Sequence, residues 1–428
     1  MPVLNRKIAP KIEFIKNISF ENFTENVLKN NLPVYYINST EEDIIKIDFV
    51  FNAGKWYSDS ELIASLTNKM LIEGSKKYSS SKIADIFDFY GAYTEQNTGN
   101  DFSAITLYCL NKHLDKVLPV MSDIIENPIF PENEFETLVQ NTKQNYVVNN
   151  EKVNFLARKH FPELIFGSNH PYGKSSDLKE FDTIDISKIS SFYNKNYLTD
   201  KMKIFVSGKV DKKTIKVVEK YFGDLAIKSI KEPICKSKIN DDFVNKTNYI
   251  EKKNVVQSAI RIGRKIPNRG SADYMKIKIY NVILGGYFGS RLMENIREDK
   301  GYTYGIGSGV VSYKNDAMFF ISTELKAEVT KDAINEIYKE IDRLKQEFVS
   351  EEELNLVKNY MLGSILRNAD GPFAMADLKK ELILNNLPND YYENYIESIK
   401  NINSKDIQLI ANKYFNTNNL AELVVGKK

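Results

Sequence analysis

The chain of 428 residues is poor in the side chains that most often carry chemistry: two cysteines, three histidines and one tryptophan. Cys109 lies in an apolar strand-like run and Cys235 in a polar connecting stretch, which argues against a disulfide framework and fits a reducing compartment. His113, His160 and His170 belong to no H-E-x-x-H or H-x-x-E-H pattern, and no C-x-x-C exists, so the chain carries no recognisable zinc motif. A G-x-S-x-G nucleophile elbow is absent as well. Glycines 285, 286 and 289 lack the Lys-Ser/Thr ending of a phosphate loop and follow a helix-like run, which removes that reading. Neither sign of charge dominates: 59 basic against 57 acidic residues leave a net charge of +2, without the footprint of a nucleic-acid binder. No apolar run reaches the length of a membrane span, and the start, MPVLNRKIAPKIEFIKNISF, lacks the apolar stretch of a signal peptide. These absences lead us to expect a cytoplasmic protein with no membrane or nucleic-acid partner.

What the chain does have is length and apolar content enough for two or three cores. The first half reads as an apolar strand (IIKIDFVFNAG), a helical block through Leu71, and a second helix, SSKIADIFDFYG. A strand pair follows (AYTEQNTG and DFSAITLYCL), then a helix with Leu114, Val117, Leu118, Met121, Ile124 and Ile125 on one face. The second half repeats that order with strand SAIRIGRKI, helices YMKIKIYNVILGG and SRLMENIREDKG, and strands YTYGIGSGVV and AMFFISTELK. Its next helix places Ile334, Ile337, Tyr338, Ile341 and Leu344 on one face. The ends are alike too, SSFYNKNYLTDKMKIFVSGKV against QLIANKYFNTNNLAELVVGKK.

An internal duplication with a period of roughly 215 residues accounts for this pattern. The expected fold is α+β, with two similar domains, each a mixed or antiparallel sheet with helices packed on one side. We place the domains at residues 1–228 and 248–428, joined by a Lys-rich linker at 229–247. Ser350 with Glu353 reads as a capping box, and Ser79 to Ser81 precede a helix start. His113 at a helix head, His170 in the turn NHPYGK and Cys109 in its apolar run are expected to have structural roles.

One stretch is more specific. LGGYFGSRLMENIREDKGYTYGIGSG resembles the second-domain signature of the pitrilysin/insulinase-type zinc peptidases, which include the mitochondrial processing peptidases. FNAGKWYSDSELIASLTNKMLIEGSKKYSSSKIADIFDFYGAYTEQNTGNDF resembles the family's first domain, and ARKHFPELIFGSNHPYGK a later helix and loop. Active members carry H-x-x-E-H just before a Met-Leu-x-x-Gly turn. Anchored on Met70, Leu71 and Gly74, those positions are SLTNK: Ser65 and Lys69 replace the zinc histidines, and Asn68 replaces the catalytic glutamate. The region of the family's third ligand reads QNTKQNYVVNN, with no acid between Glu136 and Glu151. Lys69 would bring a positive charge to a site that needs neutral or anionic donors, so no metal or other cofactor is expected in this chain.

The resemblance leaves the other half of the family's site in place. It implies that Arg297 and Tyr304 donate hydrogen bonds to the substrate carbonyl and to the oxyanion that develops on it. It also implies a non-catalytic subunit, inactive alone, that works in trans with a homologous zinc-bearing chain to hydrolyse unfolded peptides. Read without the resemblance, Arg297 is a solvated or ion-paired helix arginine and Tyr304 an ordinary strand residue. The alternative functions are an inert scaffold and a peptide-binding subunit that adds strands to an edge near AYTEQNTG.

Overall fold

A computed structural model of the protein describes residue 20 and residues 23–229 and 247–427. Residues 1–19 and 230–246 lie outside the described residues, and with them Cys235 and all but the two end residues of the proposed join at 229–247. The first half runs β1 (Thr24–Val27), β2 (Pro33–Asn38), β3 (Ile44–Phe51), α1 (Glu61–Met70), α2 (Ser80–Tyr90), β4 (Tyr93–Thr98) and β5 (Ser103–Leu110). It continues with α3 (Leu114–Glu126), α4 (Glu132–Asn150), α5 (Val153–Phe166), α6 (Ile186–Asn196), β6 (Lys203–Gly208) and α7 (Lys212–Phe222). The second half has β7 (Thr247–Glu251), β8 (Gln257–Ile266), α8 (Tyr274–Asn281), β9 (Thr303–Ser312) and β10 (Ala317–Lys326). Then come α9 (Thr330–Gln346), α10 (Glu351–Asn368), α11 (Ala374–Leu384), α12 (Tyr391–Asn401), α13 (Ser404–Tyr414) and β11 (Ala421–Gly426).

The strands form two sheets in the orders β1-β2-β6-β3-β5-β4 and β7-β11-β8-β10-β9. In each, the half's closing strand lies between a parallel and an antiparallel neighbour: β6 between β2 and β3, β11 between β7 and β8. Both halves carry near their ends an 11-residue helix, a three-residue 3-10 turn and a six-residue strand, which in the first half α7 follows. The fold is α+β and duplicated, as the repeat in the sequence predicts.

One core fills each half. Ile45, Ile47, Phe49 and Phe51 alternate on β3 and meet the α3 face carrying Val117, Leu118, Met121 and Ile124. In the second half Ile260 and Ile262 of β8 meet Ile337, Ile341 and Leu344 of α9. Fully burying each such side chain stabilises by roughly 2 kcal/mol.

Beyond the helices that pack on its own core, each half sends a helix across to the other half's sheet. On α5, Val153, Ala157, Phe161 and Ile165 repeat every four residues and pack on Ala259, Met318, Ala421, Leu423 and Val425, the second sheet's opposite face. On α11, Asp377 and Lys380 meet Lys46 and Asp48, which point from β3 away from the first core. A third junction stacks Tyr172 on Tyr313, ring centroids 4.2 Å apart, while the Tyr172 hydroxyl donates to Asp101. His170 is buried beside it and packs on Trp56 and Phe166, and burial, with Lys265 nearby, lowers its pKa.

Candidate functional site

Helix α1 starts cleanly, with the Ser60 hydroxyl accepting from the Leu62 N–H. Ser65 is half-buried and Lys69 is exposed, while Asn68 is fully buried. The Asn68 amide nitrogen donates to the carbonyls of Asn97 (3.0 Å) and Ala104 (3.1 Å), at the ends of β4 and β5. Its oxygen accepts from the Tyr197 hydroxyl at 3.2 Å. Burial raises the Tyr197 pKa, which keeps the phenol protonated as that donor. A carboxylate in place of Asn68 would turn two acceptors against a third, so the position suits an amide. On α4, where a third ligand would come from, Lys143 pairs with Asp182 at 2.5 Å and the Tyr146 hydroxyl donates to the Ser176 carbonyl. A hydroxyl, an amide committed to two carbonyls and an ammonium do not fit zinc. Among the described residues no group of three or more His, Cys, Asp or Glu side chains is arranged to hold a metal ion.

The second-half motif is built differently. The predicted helix YMKIKIYNVILGG is α-helical only to Asn281 and passes into a π-helical turn over Val282–Gly286. SRLMENIREDKG likewise becomes π-helical over Met293–Asp299. Such wide turns are rare and often mark functional sites. The reason Gly285 is needed is spatial: a Cβ there would come within 2.8 Å of the Ser308 nitrogen on β9 and 2.9 Å of Leu292. Glycine lets the first π turn press directly on the strand that carries Tyr304. The second turn ends with the Lys300 N–H on the Asn295 carbonyl and the Tyr302 N–H on the Ile296 carbonyl, both 3.0 Å. Gly301 supplies the left-handed residue at that exit, φ +64°.

Two arginines sit in this segment, and their surroundings separate them. Arg291 makes a bidentate pair with Glu353, Nε–Oε1 2.9 Å and Nη2–Oε2 2.8 Å, with its side chain 11% exposed. Burial alone would lower the pKa of Arg291, but Glu353 outweighs that and raises it. The predicted capping box is therefore only half formed: Ser350 caps α10 by accepting from the Glu353 N–H, while the Glu353 carboxylate holds Arg291. Asn295 adds a second anchor, donating to Glu336 (2.9 Å) and Glu340 (2.7 Å), and the first bond is the leading cause of a lowered Glu336 pKa. Among the described residues Arg297, 31% exposed, finds its ion partner in Glu298 alone, at 3.5 Å, and lies over the ring of Phe288, 4.6 Å from its centroid.

Tyr304 is 97% exposed. The pairing of β9 with β10 slips between Thr323 and Leu325, so that Tyr304 and Gly305 together oppose Glu324. That is a β-bulge, a device that re-aims a side chain. The tyrosine stands at the rim of a cavity of about 960 Å³ between the start of α5 and the ends of β8, β9 and β10. Its walls include Val153, Val256, Tyr302, Leu325 and Val329, with Lys300 and Lys326. Arg297, Ser65, Asn68 and Lys69 are not among the lining residues.

The structure places Arg297 and Tyr304 on two consecutive elements, the first part-exposed and the second exposed, with no hydrogen bond between them. The sequence reading missed Phe288, which touches Arg297, and the bulge under Tyr304. Phe288 lies inside the stretch that carries the resemblance, but nothing in that stretch marks it as the arginine's support.

A duplicated α+β chain with a first-half helix emptied of metal donors and a second-half arginine and tyrosine left at the surface defines a peptidase-like protein without the zinc motif. Two family models match it, "Insulinase (Peptidase family M16)" over residues 33–171 and "Peptidase M16 inactive domain" over residues 183–361. The chain belongs to the M16, or insulinase, family. It is similar to an uncharacterized zinc protease of Rickettsia felis, 25% identical over 406 residues that cover 93% of this chain and 96% of the relative. A Helicobacter pylori protein named non-peptidase homolog YmxG is 22% identical, covering 94% of each chain. The crystal structure of a peptidase M16 inactive domain from Pseudomonas fluorescens superimposes with a TM-score of 0.86 at 21% identity, covering 95% of this chain and 99% of that one. Among the described residues no helix is long and apolar enough to cross a membrane.

Proposed function

We propose that this chain is the non-catalytic subunit of a two-chain metallopeptidase, supplying Arg297 and Tyr304 in trans to a homologous partner that carries H-x-x-E-H and zinc. The observation that carries the reading is the contrast between the arginines of one helical segment. Arg291 is spent on packing through Glu353, whereas Arg297 and Tyr304 reach the surface without a carboxylate closer than 3.5 Å to the arginine or a buried contact for the tyrosine. A guanidinium propped on Phe288 and a phenol raised on a bulge are donors that await an acceptor. The carbonyl of an extended, unfolded peptide is such an acceptor, and its developing oxyanion a stronger one. Support comes also from a first-half helix with no metal donor at Ser65 or Lys69 and with Asn68, at the glutamate position, committed to hydrogen bonds inside the fold, so that the water-activating chemistry has to come from another chain.

The test is co-purification with the H-x-x-E-H chain and cleavage of an unfolded fluorogenic peptide. The isolated chain is expected to be inactive and the mixture active. Arg297→Ala or Tyr304→Phe should lower kcat about 100- to 1000-fold, the size known for single oxyanion donors, with the complex still assembled. Undiminished cleavage by the Tyr304→Phe complex would exclude the role in trans. A second reading, a peptide-binding subunit without proteolysis, is favoured by β4: among the described residues it pairs only with β5 and ends its sheet, and Tyr93 on it is exposed. An open edge of this kind accepts an added strand. Peptide binding to the isolated chain that is lost on Thr94→Pro would favour that reading.

A further inference from the structure

We propose that Thr303 and Thr323, two hydroxyls facing each other across β9 and β10, are the positioning residues that aim Tyr304; this rests on the role given to Tyr304 above. A bulge puts two residues opposite one, and the extra residue loses its ladder partners. Here the loss falls on Gly305, and side chains make it good. The Gly305 N–H donates to Thr303 Oγ1 at 3.1 Å. The Gly305 carbonyl accepts from Thr323 Oγ1 at 3.0 Å. Thr303 Oγ1 in turn donates to the Glu324 carbonyl at 2.7 Å, and the two hydroxyl oxygens lie 3.0 Å apart. Both backbone groups of the residue after Tyr304 are therefore held by hydroxyls, and the hydroxyl of the residue before it is held by Glu324.

Packing does not do this work. Tyr304 is almost wholly exposed, and a Cβ built on Gly305 would meet no atom within 4 Å. With no wall against the ring, the direction of the Tyr304 Cα–Cβ bond is set by the backbone on either side of it. That backbone is fixed by the threonine pair. A donor displaced by about 1 Å can lose about 100-fold in rate, so the bulge is a place where a single methyl-for-hydroxyl exchange reaches the chemistry without touching substrate.

Thr303→Val keeps the branched shape that suits a strand and removes the hydroxyl; Thr303→Ser keeps the hydroxyl. Two readouts are needed, one of them independent of catalysis. Amide hydrogen exchange of the isolated chain should show Gly305 exchanging about tenfold faster in Thr303→Val and at the parent rate in Thr303→Ser. In the complex with the H-x-x-E-H chain, Thr303→Val should lower kcat about tenfold at unchanged KM, with recovery in Thr303→Ser, and should cost nothing further in a Tyr304→Phe background. A tenfold loss that persists in the Tyr304→Phe background overturns the positioning role, as does an unaltered Gly305 exchange rate. If Tyr304→Phe itself leaves cleavage intact, the function proposed above fails, and Gly305 exchange alone then decides whether the hydroxyl pair holds the bulge.

Discussion

The two stretches that the family uses for its site have met opposite fates in this chain. On α1 the backbone is a regular helix, and the side chain at the glutamate position is buried with its donors and acceptor used. Across residues 282–305 the backbone departs from regularity three times, in two π turns and a bulge; the second turn leaves Arg297 part-exposed and the bulge leaves Tyr304 almost wholly exposed. Irregular backbone costs stability unless something selects it. Asn68 needs no further account than its hydrogen bonds. Tyr304 and Arg297 do, because the irregular backbone beneath them presents side chains that contribute little to the packing. The comparison teaches that on α1 the position of the catalytic glutamate has been absorbed into structure, whereas the second-half segment keeps an irregular backbone that lifts Tyr304 into solvent.

The contrast is sharpest in function. Arg297→Ala should lose about 3 to 4 kcal/mol of transition-state stabilisation in the two-chain assay while leaving thermal unfolding of the isolated chain unchanged. A drop of several degrees in Tm for Arg297→Ala would return that residue to the structural class. The reverse holds for Asn68. Asn68→Glu, which rebuilds one residue of the zinc motif, should destabilise the fold by at least about 3 kcal/mol, since it aims a carboxylate at the Asn97 and Ala104 carbonyls in a buried site. Urea unfolding measures it; a neutral Asn68→Glu would mean that α1 still tolerates the family's chemistry. Between these lies Arg291→Ala, expected to cost about 2 kcal/mol by stranding Glu353 at the start of α10. Comparable stability losses for Arg291→Ala and Arg297→Ala would erase the distinction on which the proposed function stands.

How much of this was legible beforehand depended on whether the deciding partner was near in sequence. The α3 stripe and the β3 alternation are local patterns, and both cores follow them. The closing helix, turn and strand of each half repeat visibly, and so does their structure. Lys46 and Asp48 are polar residues within an otherwise apolar strand, and both are buried because α11 arrives from the other half with Lys380 and Asp377, a partner distant in sequence. The α5 stripe announces an amphipathic helix but not which sheet it will cover. Arg291 and Arg297 occupy one charged helical run, and only Glu353 tells them apart. The bulge has no local signal either: it depends on Thr323 lying opposite Ile306 and on the pair of hydroxyls that meet there.

The smallest expected effect falls on the two former histidine positions. Ser65 is half-buried and Lys69 is exposed, so the double substitution Ser65→His, Lys69→His should shift stability by no more than about 0.5 kcal/mol. Two imidazoles one helical turn apart make at most half a tetrahedral set. The chain offers no acid between Glu136 and Glu151 to extend that set, and Asn68 stays committed to Tyr197 and the two carbonyls. Zinc measured after dialysis against a chelator should therefore remain well below one per chain in the double variant. Stoichiometric zinc would show that a ligand set survives around α1, and would move the missing centre of the site back into this chain.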